Sequence, residues 1–492
     1  MRRRLTRLAG EERGFTLVFA LGVLIVTSVM IVSITEYSSS TSRSSSRSKA
    51  DQIAYSLAET GVNNAMSILS CSTPPECNTN ALATTALPNT EGTASSQLYE
   101  GGTAKWWGVL HVPTSVWTIY GKGVVANPTG PGSASVTRTL SATSQVVANY
   151  SQPLNATAWN YVYATKTGDP DGCDMTTKNS VVVTTPLYVM GNLCLQNTSS
   201  VRQGAEQNVG VVVKGGLFLQ GTGTVGTAAA PITEVQTVNG CKLGNNAVHS
   251  PCTSADNVWA TTIGTTPPAA DPAAADFDFW YVNASLGPNA LCDTQTGTPP
   301  PLADPNGLRD GSVSSFNLTP SSSYSCQRGA SVISWDATAK LLTVQGAVYI
   351  DGAVTISNGA VNTYAGQGSI YLSKGFTISG SAQLCGAVVS GNCDFAAWDP
   401  NTTMLMIVAD AIGVSHSLLM QNSARLQAGI YGTKMVEIQN TAQLEGPIVA
   451  SEIEFENSSQ IRSFPPIDTV PAGTPGNPNI YAEPQTPQNY SG

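Results

Sequence analysis

Gln421–Leu426 reads QNSARL, Gln439–Leu444 reads QNTAQL and Glu456–Ile461 reads ENSSQI. The same phrase stands earlier as QNTSSV from Gln196, QGTGTV from Gln220, SNGAV from Ser357 and SGSAQL from Ser379. Each copy comes after a short β-like run such as LYVMGNLCL, VVVKGGLFL, GAVYIDGAVTI or GTKMVEI. The clear steps between copies are 24, 22, 18 and 17 residues. That is the length of one coil of a β-solenoid, where short strands stack in parallel and the turns need Gly, Asn and Ser. The phrase supplies one turn and then one inward aliphatic residue: Val201, Val225, Val361, Leu384, Leu426, Leu444 or Ile461. An antiparallel sandwich would also give short strands and turns, though seldom one recurrent phrase.

The phrase predicts solenoid coils over 158–227 and again over 336–463. Between them, 228–335 loses the repeat and turns rich in Pro, Ala and Thr, with four cysteines and the aromatic cluster Phe277, Phe279, Trp280 and Tyr281. Insertions in solenoids map to loops on one face and often carry recognition, which makes this segment the candidate ligand-contacting subdomain. The simpler reading is a small aromatic core stapled by disulfides. The tail, 464–492, holds seven prolines and is expected to be extended or disordered.

Upstream, 104–150 contains Trp106, Trp107, Trp117 and Tyr120 in the alternating runs VWTIYGKGVV and ASVTRTLSATSQVV, separated by ANPTGPGS. Period-two alternation around a Gly/Pro/Asn cluster reads as an antiparallel hairpin, so 70–157 is a connecting loop and then a small sheet.

Phe15 to Ile34, FTLVFALGVLIVTSVMIVSI, carries no charge. About 20 residues at roughly 1.5 Å each match a hydrocarbon core about 30 Å thick, so the segment can span a bilayer. Arg2, Arg3, Arg4, Arg7 and Arg13 precede it against Glu11 and Glu12. The positive-inside rule then keeps the N-terminus cytoplasmic and exports the chain beyond Thr35. A secretory signal peptide has a shorter apolar run and an A-x-A site after it; here Thr35-Glu36-Tyr37 and a serine tract come next. Beyond them, Ala54, Leu57, Ala58, Gly61, Val62, Ala65, Ile68 and Leu69 recur at helical spacing, so the helix continues out of the bilayer over 15–69.

Two motifs in this region carry a family resemblance. The Gly14-Phe15-Thr16-Leu17 junction, placed before the apolar run, resembles the class III signal of type IV pilins. The run Ala54, Ala58, Glu59, Gly61, Asn63 and Ala65, reading A-x-x-L-A-E-x-G-x-N-x-A, is similar to the signature that opens the PilX family of minor pilins. The resemblance covers about the first 70 residues. It implies a leader of residues 1–14, cut by a prepilin peptidase after Gly14, with methylation of Phe15. It further implies a pilin-type helix against a pilin-like sheet, and partners among other pilin subunits, the inner-membrane pilus assembly machinery and membrane lipid. One position departs from the pattern. Major pilins carry glutamate at the fifth mature residue, where it is thought to neutralise a neighbour's amino terminus; here that residue is Phe19, and Glu36 lies beyond the apolar run. The K-type minor pseudopilin of type II secretion resembles this case and caps its assembly, so the departure suits a filament tip.

The fold class expected is therefore α+β and mostly β: a transmembrane helix, a small antiparallel sheet, then a parallel β-helix with a cysteine-containing insertion. The 492 residues carry a net charge of −9, which becomes −12 once Met1–Gly14, with five arginines and two glutamates, is removed. That balance argues against nucleic acid as a partner, since phosphate binding needs clustered Lys and Arg. The cysteines fall as sequence neighbours: Cys71 and Cys77, Cys173 and Cys194, Cys241 and Cys252, Cys292 and Cys326, Cys385 and Cys393. In an exported region this suggests local disulfides, although spacing does not fix connectivity. No C-x-x-C occurs and His111, His249 and His416 are scattered, which disfavours zinc. Asp169, Asp171 and Asp174 in TGDPDGCD are the one candidate set for Ca²⁺, with a solvated turn as the simpler reading.

Polysaccharide lyases and hydrolases also use β-helices, but their chemistry needs clustered carboxylates with Lys or Arg. The coils here offer mostly Ser, Thr, Gln, Asn and Ala around isolated charges such as Lys374, Asp410 and Glu445, and no G-x-S-x-G, H-E-x-x-H or P-loop occurs. The expectation is a non-enzymatic minor pilin displaying its solenoid for adhesion or assembly, with a surface glycan as a further partner. The alternative is a membrane-anchored β-helix protein that binds or cleaves surface polysaccharide.

Overall fold

The computed structural model describes the chain except residues 1–11, 71–80, 82–83, 112–113, 129–133, 150, 155, 168–171, 271–273, 357–358, 477–480 and 492. Helix α1 runs from Glu12 to Leu69. Its last five turns lie on an antiparallel sheet formed by β1 (Ser95–Tyr99), β2 (Gly102–His111), β3 (Val116–Val125) and β4 (Val136–Asn149), in that spatial order. β3 alternates part-exposed and buried residues along its whole length, as its period-two pattern requires. Trp106, Trp117, Ile119 and Leu140 face Ala58, Val62, Ala65 and Leu69 to close a small core.

The larger part is a parallel β-helix with three ladders. One ladder stacks Leu341–Ile350, Gln367–Leu372, Met404–Ala409, Gly429–Ile438 and Ile448–Phe455 in order. It then continues with Val162–Ala164, Leu187–Val189, Gly210–Val213, Ile232–Thr237 and Ala260–Gly264. The first coil in sequence thus sits in the middle of the stack, where Ile448, Val449 and Ala450 pair with Val162, Tyr163 and Ala164. From that seam the chain climbs to one end, crosses the whole length, and returns coil by coil to the seam from the other end. Inside the coils, Val183, Val201, Val225, Leu384, Leu426, Leu444 and Ile461 are fully buried. Each fully buried aliphatic contributes about 1.5–3 kcal/mol.

The repeated phrase is the corner between two ladders. Its second residue adopts a left-handed conformation in every described copy: Asn197 (φ 57°), Gly221 (φ 64°), Gly380 (φ 73°), Asn422 (φ 60°), Asn440 (φ 63°) and Asn457 (φ 54°). Gly and Asn are the residues that tolerate this conformation, which explains why the phrase alternates between them. A further corner, Lys178-Asn179-Ser180, was not legible as a copy, yet Asn179 has φ 57° and joins the same column. The corner asparagines hydrogen-bond along the axis, Asn179 Nδ2 donating to Asn457 Oδ1 at 2.8 Å and Asn197 Nδ2 to Asn179 Oδ1.

Three expectations are corrected by the structure. Val361 is not an inward residue: Asn362 pairs with Leu384 and is fully buried, while Val361 is only part-buried. The phrase SNGAV is one residue shorter than its siblings, and a one-residue change of register exchanges the two faces of a strand. Residues 228–335 do not interrupt the solenoid at once, because Ile232–Thr237, Cys241–Leu243 and Ala260–Gly264 extend its ladders in parallel. There the corner phrase is replaced by Gly244 (φ 57°) and a loop closed by a disulfide. The tail is not disordered among its described residues. Phe464, Ile467 and Val470 are buried against the solenoid, Thr469–Pro471 pairs with Ser151–Pro153, and Tyr481–Pro484 and Gln488–Ser491 pair with β4. Apolar residues three apart anchor it, a spacing that its proline content obscures.

Candidate functional site

Two regions can carry function: the N-terminal helix, and the outer wall of the solenoid with the segment that crosses it. From Thr16 to Ser45 every side chain of α1 is exposed. Its apolar part reaches a mean hydropathy of 2.8 over 18 residues and is long enough to cross a membrane. Leu17 and Phe19 are 71% and 67% exposed, so among the described residues nothing covers this apolar surface. Two hydroxyls in the apolar stretch are satisfied by the helix itself: Thr27 Oγ1 donates to Val23 O at 2.9 Å and Ser28 Oγ to Leu24 O at 2.7 Å. Such back-bonding lets them sit in a medium that offers no other partner.

The far end of α1 is locked down instead. Ala54, Ala58, Gly61 and Ala65 are buried on the sheet, and the opposing surface is β3 backbone at Gly121 and Gly123. A Cβ on Gly121 would lie 2.1 Å from Ala58 O, and one on Gly61 2.5 Å from Lys105 O. The helix and sheet therefore touch backbone to backbone, which requires small residues on both sides. Glu59 and Asn63, from the same sequence motif, are exposed one turn apart. At the edge, Arg138 donates through Nε and Nη2 to both oxygens of Asp51, each at 2.7 Å, and holds that carboxyl below its ordinary range. Gly14 and Phe15 fall within the first turns of α1, but their side chains lie outside the described residues.

No family model and no curated protein matches this chain. It is similar in shape to the crystal structure of the competence-associated pilin ComZ from Thermus thermophilus, at 14% identity and a TM-score of 0.43, over 83% of this chain and 86% of that one.

Four disulfides are formed among the described residues: Cys173–Cys194, Cys241–Cys252, Cys292–Cys326 and Cys385–Cys393, with Cα separations of 5.8, 5.1, 5.2 and 5.3 Å. Cys71 and Cys77 lie outside them. Asp169 and Asp171 of the candidate calcium turn also lie outside the described residues. Asp174 is buried, and its Oδ2 accepts the Asn192 backbone N–H at 2.8 Å, which gives it a structural partner in the next coil. Among the described residues no three His, Cys, Asp or Glu side chains converge as metal ligands.

The aromatic cluster of the insertion packs on the solenoid rather than forming a core of its own. Outward residues of one ladder include Tyr349, Tyr371, Tyr431, Tyr163 and Tyr188, and the crossing segment runs over them. Tyr188 Oη and Tyr163 Oη each donate at 2.8 Å, to Pro268 O and Ala270 O. Helix α2 (Phe277–Asn283) then sets Phe277 and Trp280 against Tyr371, at ring distances of 5.7 and 5.2 Å. These aromatics strap the return crossing and are buried by it. Their clustering in sequence was visible; their partners, five tyrosines in a column interrupted by Val408 and Val449 and spread over nearly 270 residues, were not.

Of the charges singled out from sequence, Lys374 and Asp410 fall on neighbouring coils, where the Asp410 N–H donates to Leu372 O, while Glu445 lies on another ladder. Asp410 pairs with Arg309, Lys374 packs beside Gly311, and Glu445 is buried on the third ladder. Gln427 Nε2 donates to Glu445 Oε2 at 2.7 Å, and Arg462 is next to Glu445 on the ladder. Burial outweighs these partners and pushes the Glu445 carboxyl up to about 8.

Proposed function

We propose that the chain is a non-enzymatic minor subunit of a type IV pilus or related filament, of the PilX-like kind. Prepilin peptidase cuts after Gly14, Phe15 is methylated, and α1 passes from the inner membrane into the filament, with the N-terminus cytoplasmic before assembly and the remainder exported. Other pilin subunits and the inner-membrane assembly machinery are its partners. The observation that carries this reading is α1 itself. One unbroken helix joins an apolar surface that no other described residue covers to a small-residue face fixed on a sheet. A subunit that is handed from lipid to neighbouring helices needs both features in one rod.

Phe19 favours an end position. A subunit lacking the carboxylate leaves a neighbour's ammonium without its partner in an apolar setting, at a cost of several kcal/mol. That cost is avoided where the position has no such neighbour, at the tip or in an initiation complex. Labelling of an epitope placed at an exposed solenoid loop, Gly244–Asn245, tests this on assembled filaments. Label confined to one end supports the reading; label along the filament overturns the end position. Gly14→Ala is expected to block processing and assembly, and normal processing of that variant overturns the pilin reading.

A further inference from the structure

Beside the seam of the solenoid, the wall opens into a cleft of about 550 Å³. Tyr161 from the first coil, the loop carrying Glu206, Gln207 and Asn208, and Glu234 three coils beyond Tyr161 line it, and Pro466 of the C-terminal tail closes one side. Tyr161 is held edge-on against Tyr188, with ring centroids 5.7 Å apart and planes at 74°. Burial, and after it the nearby Glu234 carboxylate, raises its phenol above the ordinary range. Glu234 is itself oriented, accepting from Gln236 Nε2 at 2.8 Å. Gln207 also borders the cleft, but its Nε2 is shut off from solvent and does not face it. Carboxylates, side-chain amides and a packed tyrosine ring thus converge on one recess.

We propose that this cleft binds a neutral glycan. Its lining presents two carboxylates that accept hydroxyl protons, amides that both donate and accept, and one aromatic ring, which together suit a ligand bearing adjacent hydroxyls on an apolar ring face. Among the described residues no Lys or Arg lines it, so an anionic polysaccharide or phosphate would meet Glu206 and Glu234 uncompensated. A divalent cation is disfavoured by the lack of a third convergent acidic or histidine ligand among the described residues. The inference deepens the display role proposed above and rests on it only for where the glycan is met.

The test is isothermal titration of the purified full chain in detergent with cellotriose, maltotriose and tri-N-acetylchitotriose. At least one should bind, Glu234→Gln should weaken it about tenfold, and Tyr161→Ala should abolish it. Glu234→Gln keeps an acceptor for Gln236, and unchanged thermal unfolding of each variant establishes that the fold survives. Glu437→Gln, well away from the cleft lining, should bind as the parent does. Silence with all three sugars overturns the proposal, as does binding that Glu234→Gln and Tyr161→Ala leave unaltered. Because the titration needs no filament, it fails or succeeds independently of the labelling experiment.

Discussion

Gly123→Ala adds one methyl group in the middle of β3, and the structure fixes what it meets. The new Cβ would sit 1.9 Å from Ala54 O and 2.8 Å from Ala54 C. An ordinary C···O approach is about 3.3 Å, so α1 has to withdraw by roughly 1.4 Å. Neither side can yield by rotating a side chain, since both are backbone. A gap of about 1 Å forfeits up to about half of each dispersion contact, and here Ala54, Leu57, Ala58 and Val62 would share the loss. Overpacking commonly costs about 1–3 kcal/mol, and a clash of this kind belongs at the upper end. In hydrogen exchange read by mass spectrometry, amides of 54–69 should therefore exchange roughly a hundredfold faster, while the solenoid is unchanged. Gly22→Ala is the control, since nothing lies within 4 Å of its added Cβ. Exchange of 54–69 within about threefold of the parent in Gly123→Ala would refute the backbone contact between helix and sheet.

The solenoid supplies three further outcomes. Asn440→Ala places a β-carbon without a compensating amide in the left-handed corner (φ 63°) and should cost about 1–2 kcal/mol in denaturant unfolding, whereas Asn440→Gly should be close to neutral. Removing the Cys173–Cys194 bridge, which spans 21 residues at the seam, should cost about 3 kcal/mol and show as a lower unfolding midpoint in Cys173→Ser/Cys194→Ser. Glu445 has a folded value raised to about 8 from 4.5, so its neutral form is favoured in the folded chain. The stabilising difference is complete below about pH 4.5 and is lost as pH rises toward 8, by an amount of a few kcal/mol at most. Glu445→Gln should flatten the fall in stability between pH 5 and 8, read from urea midpoints; an unchanged slope would show that Glu445 does not cause it.

The corners of the solenoid were legible because the left-handed conformation admits so few residues: Asn422, Asn440 and Asn457 announce it one coil at a time. The order of the coils was not. Nothing in Val162–Ala164 or Ile448–Phe455 signals that they are neighbours, because a parallel ladder is specified by shape and burial and not by a local code. The helix face was readable from Ala54, Ala58, Gly61 and Ala65, but its partner glycines, Gly121 and Gly123, looked like ordinary strand residues. Tail residues Phe464, Ile467 and Val470 were hidden among prolines, and the glycan cleft draws Tyr161, Gln207, Glu234 and Pro466 from four separate stretches that no motif links.

The pilin reading stands or falls on α1 and what becomes of it in the cell. Filaments sheared from the producing cells, with this chain recovered from them and its amino terminus read by mass spectrometry, decide the matter. A chain that co-purifies with the filament and begins at N-methylated Phe15 is the predicted result; one that begins at Met1, or that stays wholly in the membrane fraction while filaments assemble, would contradict it.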